Sequence, residues 1–176
     1  MLTVARVVAV LFAGIMTGLL FGDWLGPSFA RSQMPLGSFV QFQQIIHYNY
    51  LKVLPALSMA ALIAPIVWLL LVRRDKTQFR MLAVAALAIA AASAITFMYN
   101  VPVNDLLETW NHSSPPPDAR ELWQPWESAH LVRMGLWFGA LLLEIVALSL
   151  AKEKLKVDIE SINEGMKESM AKARNL

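Results

Sequence analysis

The sequence predicts an all-α fold: an integral membrane four-helix bundle with short helices in its outer loops and an amphipathic cytoplasmic C-terminal helix. Three observations carry this prediction. The 176 residues are 57% hydrophobic and only 16% charged, whereas a soluble domain carries about 25% charged residues. Four stretches approach the roughly 20 apolar residues that a bilayer crossing requires. The cations gather at one set of ends of those stretches. Mean hydropathy is +0.50, and the length fits one membrane domain, 1–151, followed by a charged tail, 152–176. The chain has no cysteine, which excludes disulfides, thiolate metal sites and cysteine nucleophiles. No glycine-rich phosphate loop appears, so nothing points to a nucleotide cofactor.

The first span is "VARVVAVLFAGIMTGLLFG", 4–22. Its length also suits a signal peptide, but it is read as a retained helix. A long connection, 23–52, follows. Within it "GSFVQFQQIIHYNYLKV" has no breaker after Gly37, so it is expected to extend the second span outward as far as Ser38, with His47 on that extension. The second span, 53–72, carries Pro55 and Pro65, each a kink point because proline removes a backbone donor. The third, 81–99, interleaves small residues that permit close helix packing. The connection 100–129 reads as short helices. Asn104 is placed as N-cap of "DLLETW", "SSPPP" is a rigid break, and Asp118 with Glu121 has capping-box spacing for a further short helix. Pro125 suits the first turn of the fourth span, 130–151. Asn111 in "NHSS" matches a glycosylation acceptor, a match that chance readily supplies. In the tail, Leu155, Ile159, Ile162, Met166 and Met170 form one apolar stripe. Two readings stand: an extension of the last helix, frayed past Gly165, or a helix that docks on a protein partner or the membrane surface.

The cations orient the bundle. Arg73, Arg74, Lys76 and Arg80 lie in the short loop, Lys152, Lys154 and Lys156 follow the last span, and Arg6 opens the first. The other ends hold Arg31, Lys52 and Arg120. The positive-inside rule then places both termini in the cytoplasm and the two long connections outside, in the inner membrane if the cell is bacterial.

At the outer end, Trp123, Trp126, His130, Arg133 and Trp137 recur at intervals of three or four and share one helix face, with Glu127 beside it. An arginine within a span costs about 2.5–3.5 kcal/mol on insertion scales, so Arg133 is expected to face the bundle and find a partner among Asn100, Asn104, Asp105 and Glu108. His47 arrives from the second span. Polar groups from three segments under a roof of tryptophans predict an outer pocket. The plainer reading is an interfacial belt of Trp24, Tyr48, Tyr50, Tyr99, Trp110, Trp123 and Trp126. Glu144 is expected near the cytoplasmic boundary, snorkelling or paired with the tail.

The spacing N-x-P-x-N after the third span (Asn100, Pro102, Asn104), then Trp110, then R-x-x-W…H-x-x-R (Arg120, Trp123, His130, Arg133) resembles the anthrone-oxygenase-like membrane family. The likeness in helix layout covers about residues 3–150. It implies a four-helix membrane bundle and, for the family's named members, oxygenation of an anthrone to an anthraquinone by O2 with no recognised metal or flavin.

The residues can be set against that chemistry. A base must remove the acidic methylene proton, and His130 or His47 is the candidate. Arg133 with Asn104 can stabilise the oxyanion. Asn100 and Arg120 complete the expected binding set, and Trp110, Trp123 and Trp126 offer a flat slot for an aromatic or quinone-like molecule. A second hypothesis is one metal ion held by Glu127, His130 and His47. Glu127 and His130 have the Glu-x-x-His spacing of di-iron bundles, but those need two such motifs and the chain has one. A third hypothesis is a non-enzymatic accessory subunit of a larger membrane complex, binding lipid or quinone and holding protein partners through its helices and tail.

Overall fold

The structure, a computed structural model, describes residues 1–174, with the side chains of 152–158, 168, 169 and 171–174 outside the description. Lys152, Lys154, Lys156 and Leu155 of the tail fall among those side chains. The described chain is almost wholly helical and contains no strand. Four stretches are long and apolar enough to cross a membrane: Leu2–Gln33, Leu54–Leu71, Lys76–Glu108 and Ala119–Ala151. They alternate in direction. Neighbouring contacts run first with second, second with third, third with fourth and fourth with first, which closes a four-helix bundle.

Helix α1, Leu2–Asp23, continues through a π-helical turn, Trp24–Ser28, into α2, Phe29–Gln33. The turn contains Pro27, whose ring would press on the carbonyl four residues back in a regular α-helix; the wider π turn relieves that clash. The combined helix is 32 residues, roughly 48 Å at 1.5 Å per residue, well beyond the hydrocarbon thickness of about 30 Å. Its C-terminal third is therefore surplus to a single crossing. Met34 turns extended before Pro35, as the residue preceding a proline prefers.

The expected single helix from Ser38 through the second span is instead two. Helix α3 covers Leu36–Leu51 and α4 covers Leu54–Leu71, with a turn at Lys52 and Val53 between them. Pro55 explains the break, because it has no N–H to donate to the Leu51 carbonyl and its ring crowds that group. Pro65 is carried inside α4.

Helix α5, Lys76–Ile95, is capped by Asp75, whose side chain accepts from the backbone N–H groups of Thr77 and Gln78. It then runs through a second π turn, Thr96–Asn100, into α6, Val101–Glu108. The apolar helix does not end at Tyr99, and Asn104 is no N-cap; it lies inside α6. Pro102 follows this π turn, whereas Pro27 lies within the first one, and it sits in the first turn of the continuing helix, where its missing donor costs little. Helix α7 is continuous from Ala119 to Arg174, so the separate short helix expected before Pro125 is instead the start of one long element that runs on through Gly165.

Small residues line the interior, as close packing in lipid requires. Ala9 and Ala13 of α1, Ala61 and Ala64 of α4, Ala85 and Ala92 of α5, and Ala140 and Ala147 of α7 are all buried. Large apolar side chains such as Val7, Leu11, Leu70, Val84, Leu87, Phe138 and Leu142 point outward, toward lipid. At the end of the bundle away from the Arg73–Arg80 loop, α3, α6 and α7 make a separate cluster of Phe39, Val40, Leu107, Trp110, Ala119, Trp123 and Trp126. Gln44 ties it together by donating to the carbonyls of Leu107 (3.0 Å) and Trp110 (2.9 Å) at the end of α6. Gly37 allows the loop after α6 to close, because a Cβ there would collide with the His112 carbonyl.

Candidate functional site

The end of the bundle away from the Arg73–Arg80 loop holds a continuous polar network that reaches from α1 to α7. Its centre is an ion pair. Arg31 donates to both carboxylate oxygens of Asp23, 2.9 Å each, and the two side chains are 2% and 4% exposed. The same guanidinium reaches Glu127 on α7, at 3.2 and 2.9 Å. Glu127 also accepts from Trp123 Nε1 (3.0 Å) and the Ser28 hydroxyl (3.1 Å). Burying so many charges is costly unless each is paired, and here each of the three is. Tyr50, at the end of α3, is half-buried; burial first, and the Asp23 charge second, hold its phenol above the usual range, with Arg31 opposing.

His130 packs beside this pair, wholly buried. Its Nε2 lies 3.0 Å from the Leu20 carbonyl and 3.8 Å from Asp23. A carbonyl only accepts, so Nε2 carries the proton. Arg133 Nη2 lies 3.2 Å from Nδ1, and a guanidinium only donates, so Nδ1 offers its lone pair. The imidazole is therefore neutral, in the Nε2–H tautomer, with both nitrogens engaged. Arg133 also donates to the Thr96 hydroxyl at 3.2 Å. Thr96 opens the π turn of the third span, and that turn brings its hydroxyl to Arg133.

An aromatic column runs alongside. Phe39 meets Trp123 edge-on (5.9 Å), Trp123 stacks on Trp126 (4.6 Å) and Trp126 stacks on His130 (5.0 Å). The guanidinium groups of Arg31 and Arg133 approach the Trp126 ring at 5.6 and 5.3 Å, within cation–π range. Asn100 is buried and donates to the Trp126 carbonyl at 3.2 Å. Around Trp126, three buried polar atoms have no hydrogen-bond partner among the described residues: the donors Trp126 Nε1 and Arg133 Nε, and the acceptor Asn100 Oδ1. Unpartnered buried groups are uncommon in native interiors and call for an explanation such as a bound water, an ion or a functional role.

The sequence expectations fare unevenly. His130, Arg133, Trp123, Trp126 and Asn100 do come together. Arg133 faces the bundle and is partnered, but by Thr96 and His130; its hydrogen bonds go to none of Asn100, Asn104, Asp105 or Glu108. Asp105 and Glu108 are exposed, and Asn104 is half-buried. Trp110 belongs to the roof cluster. Arg120 donates to the Arg31 and Met34 carbonyls and lies over the Phe39 ring, bracing the α2–α3 junction. His47 is half-buried on α3, with no hydrogen bond to the His130 group among the described residues. No three His, Asp or Glu side chains gather as a metal-binding group among the described residues, so Glu127, His130 and His47 do not form the donor set the metal hypothesis needs. Glu144 does not snorkel: it is fully buried in the bundle, and neither carboxylate oxygen has a hydrogen-bond partner among the described residues.

The sequence reading missed Asp23 and Arg31. The available clue was a pair of opposite charges bounding an otherwise apolar segment with Pro27 between them. Their spacing of eight gave no hint that one arginine would also reach α7.

No curated protein and no solved structure is significantly similar to the chain. Residues 42–143, more than half of the chain, match the anthrone oxygenase family. That match spans His47, the Asn100 turn, the Trp126–His130 stack and Arg133, and with the four membrane-crossing helices it establishes that the chain belongs to the anthrone oxygenase family.

Proposed function

We propose that the protein oxygenates a flat aromatic, anthrone- or quinone-like substrate with O2 at the outer end of its bundle, without a resident cofactor. The carrying observation is the trio of orphaned polar atoms around Trp126, two donors and one acceptor, beside a neutral histidine. A substrate oxygen has donors waiting in Trp126 Nε1 and Arg133, and donors aimed at a developing oxyanion are the strongest element such a site can offer.

Binding and base activation then become one event. A substrate oxygen that draws Arg133 away frees Nδ1 of His130. That lone pair takes the methylene proton, and Arg133 and Trp126 stabilise the oxyanion that results. O2 reacts with the electron-rich carbon; one oxygen atom becomes the new carbonyl and the other leaves as water with the two methylene hydrogens. His47 on α3 is the alternative base. Asn100 and Asn104 orient the substrate. The aromatic column supplies the stacking surface, and the rings must part for a substrate to enter. The cations at the Arg73 end favour cytoplasmic termini, which puts this site at the outer face.

The test is O2 uptake by purified protein with an anthrone, above the spontaneous rate. Wild type should turn over. His130→Ala should lose the activity, and Trp126→Phe, which keeps a ring but loses a donor, should slow it at least about tenfold. Full turnover in both His130→Ala and His47→Ala would overturn the base assignment. A second reading, an accessory subunit of a membrane complex, draws on the exposed row of Ile159, Ile162, Met166 and Met170 on α7. Absent turnover together with stable co-purification of other chains would favour it.

A further inference from the structure

The opposite end of the bundle contains a feature that the oxygenase chemistry does not use. A cleft of about 690 Å³ opens between the start of α1, the end of α4 and the start of α5, lined by Leu2, Arg6, Leu70, Leu71, Val72, Arg73, Arg74, Asp75 and Gln78. Among the described residues its charge is one-sided. Three guanidinium groups face one carboxylate, and that carboxylate is committed to capping α5 and to the Gln78 amide, 2.9 Å away. Arg73 and Arg74 are exposed and make no ion pair among the described residues. Arg6 reaches Gln78 Oε1 at 3.5 Å and lies over the Trp68 ring at 5.9 Å. Its Nε is buried with no hydrogen-bond partner among the described residues. Arg6 is thus held in place against Trp68 and Gln78, and with Arg73 and Arg74 beside it the cleft presents guanidinium groups suited to an anion.

The other wall is apolar. Leu70 and Leu71 are 59% and 45% exposed and stand at the last turn of a membrane-crossing helix. A ligand in this cleft would meet arginines at its head and aliphatic side chains below. We propose that the cleft binds a phosphate group, and that the source is the headgroup of an anionic phospholipid whose acyl chains descend along Leu70 and Leu71. Arginine pairs with phosphate through parallel hydrogen bonds, and basic pockets between membrane helices recognise anionic headgroups. The amphipathic lining favours a lipid over a soluble phosphate.

The experiment uses full-length protein in neutral detergent. Native mass spectrometry compares retention of phosphatidylglycerol and phosphatidylcholine, with inorganic phosphate titrated as a free competitor. Wild type should retain the anionic lipid preferentially. Arg73→Gln with Arg74→Gln should weaken that retention by about 20- to 30-fold, at the usual worth of two surface arginines near a headgroup. Arg80→Gln removes the same kind of charge from the same end of α5, outside the cleft lining, and should leave most of the preference intact. Competition by inorganic phosphate, lost in the double variant, with no lipid preference, would keep the phosphate site but make its ligand soluble. Equal retention of both lipids without phosphate binding would overturn the proposal. So would an Arg80→Gln effect as large as that of the double variant, because attraction would then be diffuse.

Discussion

Arg31 closes two parallel 2.9 Å hydrogen bonds onto Asp23 from the far side of a π-helical turn, with both side chains almost entirely removed from solvent. The pair fixes the C-terminal extension of the first span and, through Glu127, fastens it to α7. Removing one member strands the other. Arg31→Ala should destabilise the protein by about 3–5 kcal/mol, the usual penalty for leaving a buried charge unpaired. Reversible unfolding in mixed micelles would measure it. A loss below about 1 kcal/mol would mean that the pair is open to water.

The His130–Arg133 contact fixes a tautomer. Nitrogen NMR on labelled protein should find His130 neutral and protonated on Nε2, since Nε2 faces a carbonyl and Nδ1 faces a guanidinium. Arg133→Lys should lower kcat of the proposed oxygenation by about 100-fold while changing KM far less. A lysine is a point charge on a flexible stem and cannot stay anchored on Thr96 while it donates to the oxyanion. A loss confined to KM would assign Arg133 to uniform binding instead.

Gly37→Ala tests how the roof closes. The added methyl would meet the His112 carbonyl, so the loop after α6 must shift. The expected loss is about 1–3 kcal/mol, as overpacking generally costs. Thermal unfolding followed by tryptophan fluorescence would report it, because Trp110 and Trp123 share the cluster with α3.

Glu144 is a buried carboxyl whose oxygens have no hydrogen-bond partner among the described residues. Its face of α7 also carries Trp137, Ala140 and Ala147, all buried. Glu144→Met preserves length and removes the desolvated polar group. Stability should rise by about 1–3 kcal/mol, read from the same unfolding titration. A fall would reveal that the carboxyl is held by a group outside the described contacts.

The gross fold was legible because hydropathy acts residue by residue. Four apolar runs, small residues at helical intervals and a cation-rich short loop specify four crossings without any knowledge of neighbours. The His130–Arg133–Trp126 face was legible for the same local reason, since positions three and four apart share a helix face. Helix ends were less so. Asn104 has the chemistry of an N-cap, yet the helix passes through it, because a π turn absorbs Pro102 and tertiary contact with α7 keeps the backbone helical. Pro55 broke a helix that Pro65 left intact; composition does not distinguish the two.

By itself, then, the sequence determined the all-α membrane class, the four spans and the family-bearing residues from 100 to 133. Only the tertiary structure decided who partners whom. It paired Arg31 with Asp23 and Glu127, turned Arg133 toward Thr96 and His130, and left Asp105 and Glu108 in the open. The physical reason is rotational phase. Each π turn inserts an extra residue into the helical repeat and rotates everything beyond it. A face read from regular spacing therefore holds up to the turn, and past it the packing of neighbouring helices selects which side chains meet.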